Sequence, residues 1–428
     1  MYLANTLWLI AERLVRLLAV LLVGIYLARY LGPESFGSLS FVVSFVGLFA
    51  AVAALGLDGL LIQALVREPA RTEQLLGTTF MLKVAGAVLV MAIVAITAGR
   101  FASQADVIFM LIVSSALLFD AFGVIDLFFQ SRVKSIYTVA ARFSQVMVSS
   151  ALKILMIQLE AGLGVFVFLV LIDAAVLAVS YLVAYKRFGL SVTRWRWHTA
   201  TAKDLLYQCR YLILADIMIS IYARIDKVMI KEFMDLESVG LYTAASNLSE
   251  AWYFVPMAIC SSVFPMLVAA RQEGAEAYLD KVQRLYNLMV WIALLLAVPV
   301  TFLADRIVLV AYGEGFAGAG SVLALHIWSG VFVFLGVASG KWLLIEEKLS
   351  IVTMRSLAGL AANLVLNYAM IPRFGIAGAA AATVISQCIA ALFFDVTDPA
   401  SRRDFSMKLK ALLLIDRRYL DLRAGTRI

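Results

Sequence analysis

Apolar runs of about 20 residues recur along the whole chain, separated by short charged segments or by glycine and proline. A helix rises about 1.5 Å per residue, so a run of about 20 apolar residues can cross the hydrocarbon core of a bilayer. The pattern therefore predicts an all-α polytopic membrane protein with about twelve transmembrane helices. The predicted spans are 5–28, 36–57, 76–98, 106–129, 139–158, 164–185, 205–230, 239–266, 286–304, 316–340, 349–371 and 374–395.

Composition agrees with a membrane protein. The 428 residues are 63% hydrophobic and 15% charged, whereas soluble domains are roughly 45–50% apolar and about 25% charged. The net charge of +7 comes mostly from loop Lys and Arg, which membrane topology explains without a nucleic-acid partner. Cys209, Cys260 and Cys388 lack metal-ligand spacing, and they predict neither a metal site nor a disulfide framework.

Basic residues are unevenly distributed between the two sets of loops. Most of them follow even-numbered spans, as in KRFGLSVTRWRWHTATAKD at 186–204. Because positive loops stay in the cytoplasm, both termini are predicted to be cytoplasmic in a bacterial inner membrane. The loops after odd-numbered spans hold only Arg29, Arg100, Lys227, Lys231, Arg306 and Arg373.

A short repeat links the two halves of the chain. YLGPESFGSLS at Tyr30 to Ser40 aligns with FMDLESVGLYT at Phe233 to Thr243, at an offset of about 203 residues. Each copy lies between the first and second spans of a six-span half. Parallel repeats of this kind are typical of transporters with two lobes around a central cavity. The identical pairs are Glu34 with Glu237, Ser35 with Ser238, and Gly37 with Gly240.

The repeat gives the domain organisation. We expect an N-terminal six-helix lobe at 1–185, a cytoplasmic basic linker at 186–204, a C-terminal six-helix lobe at 205–395 and a cytoplasmic basic tail at 396–428. Trp195 and Trp197, which alternate with arginines in the linker, are typical of a headgroup-level anchor. The basic tail suits either a helix on the anionic cytoplasmic leaflet or a disordered end.

Charged side chains within the spans are the candidate functional residues, because a charge at bilayer depth costs several kcal/mol without a partner or a polar cavity. Basic groups lining a cavity would attract a diphosphate. The acidic groups and His326 would either neutralise these bases or couple transport to Na⁺ or H⁺. The basic candidates are Arg13, Arg16, Lys83, Lys153 and Arg224, and the others are Glu12, Asp120, Asp173, Asp216, Glu250 and His326.

The alternative role for each of these residues is structural. Charged side chains can pair with one another, as Glu12 and Arg16 could at i, i+4 spacing, or reach the membrane surface from a helix end. His326 suits an interhelical hydrogen bond as well as proton coupling. The structural role is favoured for Asp58, Asp126, Arg142 and Lys341, which lie near predicted span ends.

Motifs for catalysis or nucleotide binding are missing from the sequence. GVASGKW, beginning at Gly336, has three residues between its glycines where a phosphate-binding loop has four, and it lies in an apolar span. The two histidines form no zinc motif, and no serine-nucleophile elbow occurs. The sequence therefore predicts a protein that is not an enzyme and binds no nucleotide.

Five further segments are informative together: ARYLGPESFGSLSF, LGLDGLLIQ, RIDKVMI, VGLYTAASNLSEAWYFVPMAICSSVFPML and GIAGAAAATVIS. They resemble the Wzx-type polysaccharide flippases of the multidrug/oligosaccharidyl-lipid/polysaccharide exporter superfamily. The resemblance implies a MATE-like fold and transport by alternating access. It also implies a substrate, an undecaprenyl-diphosphate-linked repeat unit of O-antigen or exopolysaccharide. Polysaccharide polymerase and glycosyltransferases are implied partners, besides membrane lipids.

Other functions stay open. A related exporter of small cations should have an acidic and aromatic lining, which the basic residues of the first span disfavour. A flippase for the peptidoglycan precursor would use the same chemistry, but such relatives commonly have fourteen spans. A polytopic glycosyltransferase or polymerase would need a large outward loop, which this chain lacks, and a scaffold would not need so many charges within its spans.

Overall fold

The structure, a computed structural model, describes residues 2–100, 103–397 and 401–413. Every described element is helical, as the sequence predicts. The chain divides into two compact units, Met1–Gly240 and Leu241–Ile428, and the division falls within one helix, Leu236–Glu250. The lobe boundaries that the sequence predicts at 185 and 205 stay a prediction.

The first unit is built from ten helices and the start of an eleventh among the described residues. They are α1 (Tyr2–Leu48), α2 (Ala50–Ala54), α3 (Asp58–Arg67), α4 (Thr72–Thr97), α5 (Gln104–Asp120), α6 (Val124–Ser131), α7 (Ser135–Gln158), α8 (Leu163–Arg187), α9 (Thr199–Tyr222), α10 (Ile225–Phe233) and α11 (Leu236–Glu250).

The second unit contains the rest of α11 and the helices that follow it. They are α12 (Phe254–Glu273), α13 (Ala275–Tyr312), α14 (Ala319–His326), α15 (Ser329–Ile345), α16 (Leu349–Cys388), α17 (Phe394–Thr397) and α18 (Arg402–Leu412). A π-helical turn at Ile389–Phe393 joins α16 to α17.

Eleven segments of the described chain are long and apolar enough to cross a membrane. Glycines in non-helical conformations break two of these segments: Gly32 (φ 74°, ψ 169°) in α1 and Gly375 (φ 59°, ψ −144°) in α16. The segment Ser350–Val396, broken at Gly375, contains the last two of the twelve spans that the sequence predicts.

The turn after the fourth span of each half has the same geometry, which extends the repeat beyond the sequence motif. Val133 and Glu347 are left-handed, with φ of 56° and 59°. In both turns the next amide, of Lys134 or Lys348, donates at 2.9 Å to a carbonyl five residues earlier. This is the Schellman pattern that closes a helix end.

The linker after α8 is an ordered strap on the end of α4. The Arg196 amide donates to the Glu73 carbonyl at 3.3 Å, and the His198 amide donates to Thr78 Oγ1 at 3.1 Å. Gly77 makes this close approach possible, because a Cβ there would lie 2.6 Å from the Arg196 nitrogen.

Trp195 anchors this strap within the protein. Its ring centroid lies 5.3 Å from that of Phe80 and 5.9 Å from that of Tyr185, and its indole N–H donates to Tyr185 Oη at 3.3 Å. Trp195 thus packs against protein, and its position at the headgroup level stays a prediction. Its neighbours come from α4 and α8, and the linker sequence gives no sign of them.

We expect Trp195→Ala to lower the free energy of unfolding by about 2–4 kcal/mol, because it removes a large aromatic side chain packed against protein. Trp197 is 49% exposed, and Trp197→Ala should change the free energy of unfolding by no more than about 0.5 kcal/mol. Equilibrium unfolding in detergent micelles measures both. Equal effects of the two substitutions would contradict this assignment.

In the second unit, a buried group of four charges attaches α18 to the spans. Arg355 on α16 pairs with Asp395 and, at 2.9 Å, with Asp404. Lys408 lies 2.8 Å from both carboxylates, and its side chain is 0% exposed. Two positive and two negative side chains thus neutralise one another, as burial requires. We call Arg355, Asp395, Asp404 and Lys408 the tail quartet.

Neutral groups complete the hydrogen bonding of the tail quartet. Ser339 donates to Asp404 at 2.6 Å, and Tyr286 also donates to this carboxylate. Burial alone would raise the pKa of Asp404, but the Lys408 ammonium and these hydrogen bonds outweigh it and lower the pKa below its usual value. Lys408 also donates to the Ala391 carbonyl at 2.7 Å, within the π-helical turn.

The described part of the basic tail forms a helix, α18, whose Asp404 and Lys408 are fully buried. Its position on the leaflet stays a prediction. Residues 414–428, with Arg417 and Arg418, lie outside the described residues.

We expect Lys408→Met to destabilise the protein by about 3–5 kcal/mol, because it leaves two buried carboxylates with one base. Lys410 is exposed on the same helix, so Lys410→Met should change stability by no more than about 0.5 kcal/mol. Equilibrium unfolding compares the two variants. Similar stabilities would show that α18 is not held by the tail quartet.

Candidate functional site

Arg142 lies beside the hydroxyl of the buried Tyr181 on α8, in the spans of the first unit. Arg142 on α7 donates from Nε to Tyr181 Oη at 3.2 Å and pairs with Asp126 of α6 at 2.6 Å. Arg16 on α1 is half-buried and has a weaker electrostatic influence on the same tyrosine. The Arg142 side chain is 40% exposed. We call Arg16, Arg142 and Tyr181 the arginine cluster.

The sequence identifies only part of this cluster. Arg16 is a predicted candidate, whereas Arg142 and Asp126 were expected to be structural because they lie near span ends. Their mutual pairing agrees with that role. Their closeness to Arg16 depends on how α1 and α7 are rotated, which no sequence motif indicates.

Lys153 and Asp173 form a second charged group. Lys153 on α7 lies 2.7 Å from Asp173 on α8 and donates to Ser149 at 2.9 Å. Both charged side chains are half-buried. The structure brings these two predicted residues together and neutralises their charges locally.

Lys83 belongs to a third group, in which acids outnumber bases. Its ammonium, on α4, lies 2.6 Å from Asp58 and interacts electrostatically with Asp120 at the end of α5. Asp216 on α9 in turn interacts with Asp58. One lysine is thus paired with one carboxylate and interacts electrostatically with a second, which suits a proton better than an anion.

The other predicted residues of the first unit are separate from these groups. Arg224 begins α10, and its side chain crosses Gly47 of α1, where a Cβ would collide with it. The side chains of Glu12 and Arg13 lie outside the described part of the structure, and their predicted roles stay predictions.

Two predicted residues belong to the second unit. His326 is buried, and its Nδ1 shares a hydrogen bond of 2.9 Å with Ser249 of α11. This is the interhelical bond of the structural alternative. Glu250 is exposed at the end of α11. Among the described residues, no group of three His, Cys, Asp or Glu side chains could hold a metal ion.

We expect Lys153→Met to destabilise the protein by about 1–3 kcal/mol, because it leaves Asp173 half-buried without its base. The double variant Lys153→Met/Asp173→Leu should be about 1–2 kcal/mol more stable than the sum of the two single effects predicts. Unfolding of the four proteins of this cycle measures the coupling. Simple additivity would mean that the pair contributes nothing.

Comparison with known proteins supports the fold. A multidrug resistance MATE family transporter of the MOP superfamily, in an inward-facing conformation, superposes with a TM-score of 0.71 at 16% identity, covering 92% of this chain and 96% of that chain. The lipid II flippase MurJ, in an inward closed conformation, gives 0.72 at 14% identity, covering 96% and 92%. The protein has an all-α, polytopic, MATE-like fold.

Sequence comparison leads to a family. The probable flippase AglR of Haloferax volcanii is 26% identical over 212 residues, which are 45% of this chain and 42% of that relative. The aligned region thus spans less than half of that protein. Residues 26–320 match the profile of a family described as polysaccharide biosynthesis protein, and because this match covers more than half of the chain, the protein belongs to that family.

Proposed function

We propose that this protein is a flippase that moves lipid-linked oligosaccharide repeat units from the cytoplasmic to the periplasmic leaflet of a bacterial inner membrane. The observation that carries the proposal is the arginine cluster. It places the guanidinium of Arg142, whose side chain is 40% exposed, beside a tyrosine hydroxyl, with the half-buried Arg16 as a weaker electrostatic influence on the same tyrosine.

The chemistry of a lipid-linked glycan fits such a cluster. A polyprenyl diphosphate carries its negative charge at the junction of lipid and sugar, where bidentate guanidinium groups bind phosphate oxygens well. Electrostatic attraction is stronger at low dielectric than in water. Two arginines could therefore offset part of the cost of bringing the diphosphate into the membrane.

The family and the relatives support the same substrate class. Membership in a polysaccharide biosynthesis family suits a glycan rather than a drug, and AglR is itself named as a probable flippase. The resemblance noted in the sequence extends the proposal to undecaprenyl-diphosphate-linked units of O-antigen or exopolysaccharide. It also extends the proposal to transport by alternating access, cytoplasmic termini, and glycosyltransferase and polymerase partners.

Ion coupling is the last part of the proposal. Lys83 pairs with Asp58 at 2.6 Å, and Asp120 and Asp216 interact electrostatically with this pair, so these residues are the candidates for binding H⁺. The proposal thus gives the predicted charged residues two different roles. Arg16 belongs with the substrate diphosphate, whereas Lys83, Asp120 and Asp216 belong with the coupling ion.

We expect Arg16→Ala, and Arg142→Ala combined with Asp126→Asn, each to slow glycan flipping about tenfold or more. Each removes one charge-assisted contact, worth about 1.5–3 kcal/mol, and the Asn avoids leaving a buried carboxylate unpaired. Arg67→Ala, at the exposed end of α3, is the control and should flip at the wild-type rate. The measurement is flipping of a fluorescent undecaprenyl-diphosphate oligosaccharide in proteoliposomes.

Two results would contradict the proposal. One is a folded wild-type protein that flips none of several lipid-linked glycans but exports small organic cations, which would favour a drug exporter. The other is wild-type flipping by both cluster variants, which would remove the arginine cluster from the substrate path.

A further inference from the structure

The two copies of the sequence repeat touch each other within the first unit. Gly37 on α1 lies so close to the start of α11 that an added Cβ would overlap the Leu236 carbonyl oxygen and lie 2.8 Å from the Gly240 nitrogen. A Cβ on Gly240 would overlap the Pro33 carbonyl oxygen and lie 3.2 Å from the Gly37 nitrogen. The two helices therefore meet backbone to backbone.

The contact is reciprocal in the register of the repeat. Each glycine faces the carbonyl four residues before the other, and the offset that aligns the glycines also aligns Pro33 with Leu236. Such an isologous contact uses the same surface twice around a local two-fold axis. This explains why both glycines are present, whereas turn formation explains only Gly32, whose φ is 74°.

Two hydrogen bonds beside this crossing do not depend on contact between α1 and α11. Ser38 donates to Asp106 on α5 at 2.9 Å, and the Ser238 amide donates at 2.8 Å to Asp235, in the turn before α11. The Gly37–Gly240 approach itself offers van der Waals contact and weak Cα–H···O bonds, as between membrane helices with small residues at their interface. Separating the two helices would leave these buried hydrogen bonds intact.

The crossing lies at the end of the first unit. Gly240 is the last residue of the first unit, and α11 continues directly into the second. The positive-inside rule assigns this end of α1 to the outer side of the membrane.

We propose that the Gly37–Gly240 crossing is the outward gate of the transporter, closed in this structure and separated when the substrate is released. The inference rests on the alternating access of the proposed function. In this proposal the repeated ES-x-G motif closes the outer end of the transporter. The closed state requires glycine at both Gly37 and Gly240, because a side chain at either position would separate the two helices.

The first test uses cysteine accessibility. Ser238, 8% exposed, is replaced by Cys in a protein whose three native cysteines are Ser, and spheroplasts are treated with a membrane-impermeant maleimide. Gly37→Ala should raise the labelling rate at least tenfold by excluding the closed state. Gly24→Ala is the matched control on α1, because nothing lies within 4 Å of its added Cβ, and it should leave labelling unchanged.

The second test leaves both glycines in place, so it does not depend on the folding of Gly37→Ala. Glu34 and Glu237, both exposed, are replaced by Cys and joined by a short bismaleimide. Joining them should abolish flipping of the fluorescent glycan, whereas either single-cysteine protein treated with the same reagent should keep it.

The outcomes separate this inference from the proposed function. Unchanged labelling of a folded Gly37→Ala protein, or normal flipping by the joined protein, would overturn the gate while leaving the flippase in place. A labelling increase in a protein whose wild type flips no glycan would support the gate and reject the substrate.

Discussion

A charged side chain at bilayer depth must find its partner within the protein, and this requirement organises both units of the structure. In the first unit it joins α7 to α8 through Lys153 and Asp173. In the second it extends to the tail, where Lys408 brings α18 into contact with the spans. Several helix contacts that apolar packing alone would leave loosely specified are thus fixed by charge, because an alternative helix rotation would leave a charge unpaired.

Two arginines meet this requirement in different ways. Arg142 on α7 contacts Asp126 of α6 and Tyr181 of α8, and its side chain is 40% exposed. Arg355 on α16 contacts α15, α17 and α18 and is buried.

The sequence predicts the fold well because the thickness of the bilayer sets the length of each apolar run, independently of tertiary contacts. The repeat was also visible, since both copies keep Gly37 and Gly240. The site was predicted only in part. Arg16 was found from its depth alone, but Arg142 and Lys408 acquire their roles from partners on other helices. Helix rotation and docking of a tail leave no local pattern, so a basic residue on an exposed face looks the same as one in a buried network.

Alternating access requires bodies that stay rigid while the junction between them moves. Buried ion pairs give rigidity, because displacing one partner by a few ångströms in low dielectric costs several kcal/mol. A crossing of two glycines has the opposite property, since it is held by short-range contacts that are lost without leaving a charge or a strong hydrogen bond unpaired. Buried ion pairs of the first kind occur in each unit, and the glycine crossing lies within the first unit, at its last residue. Conformational change would then concentrate at the crossing, because that is where separation costs least.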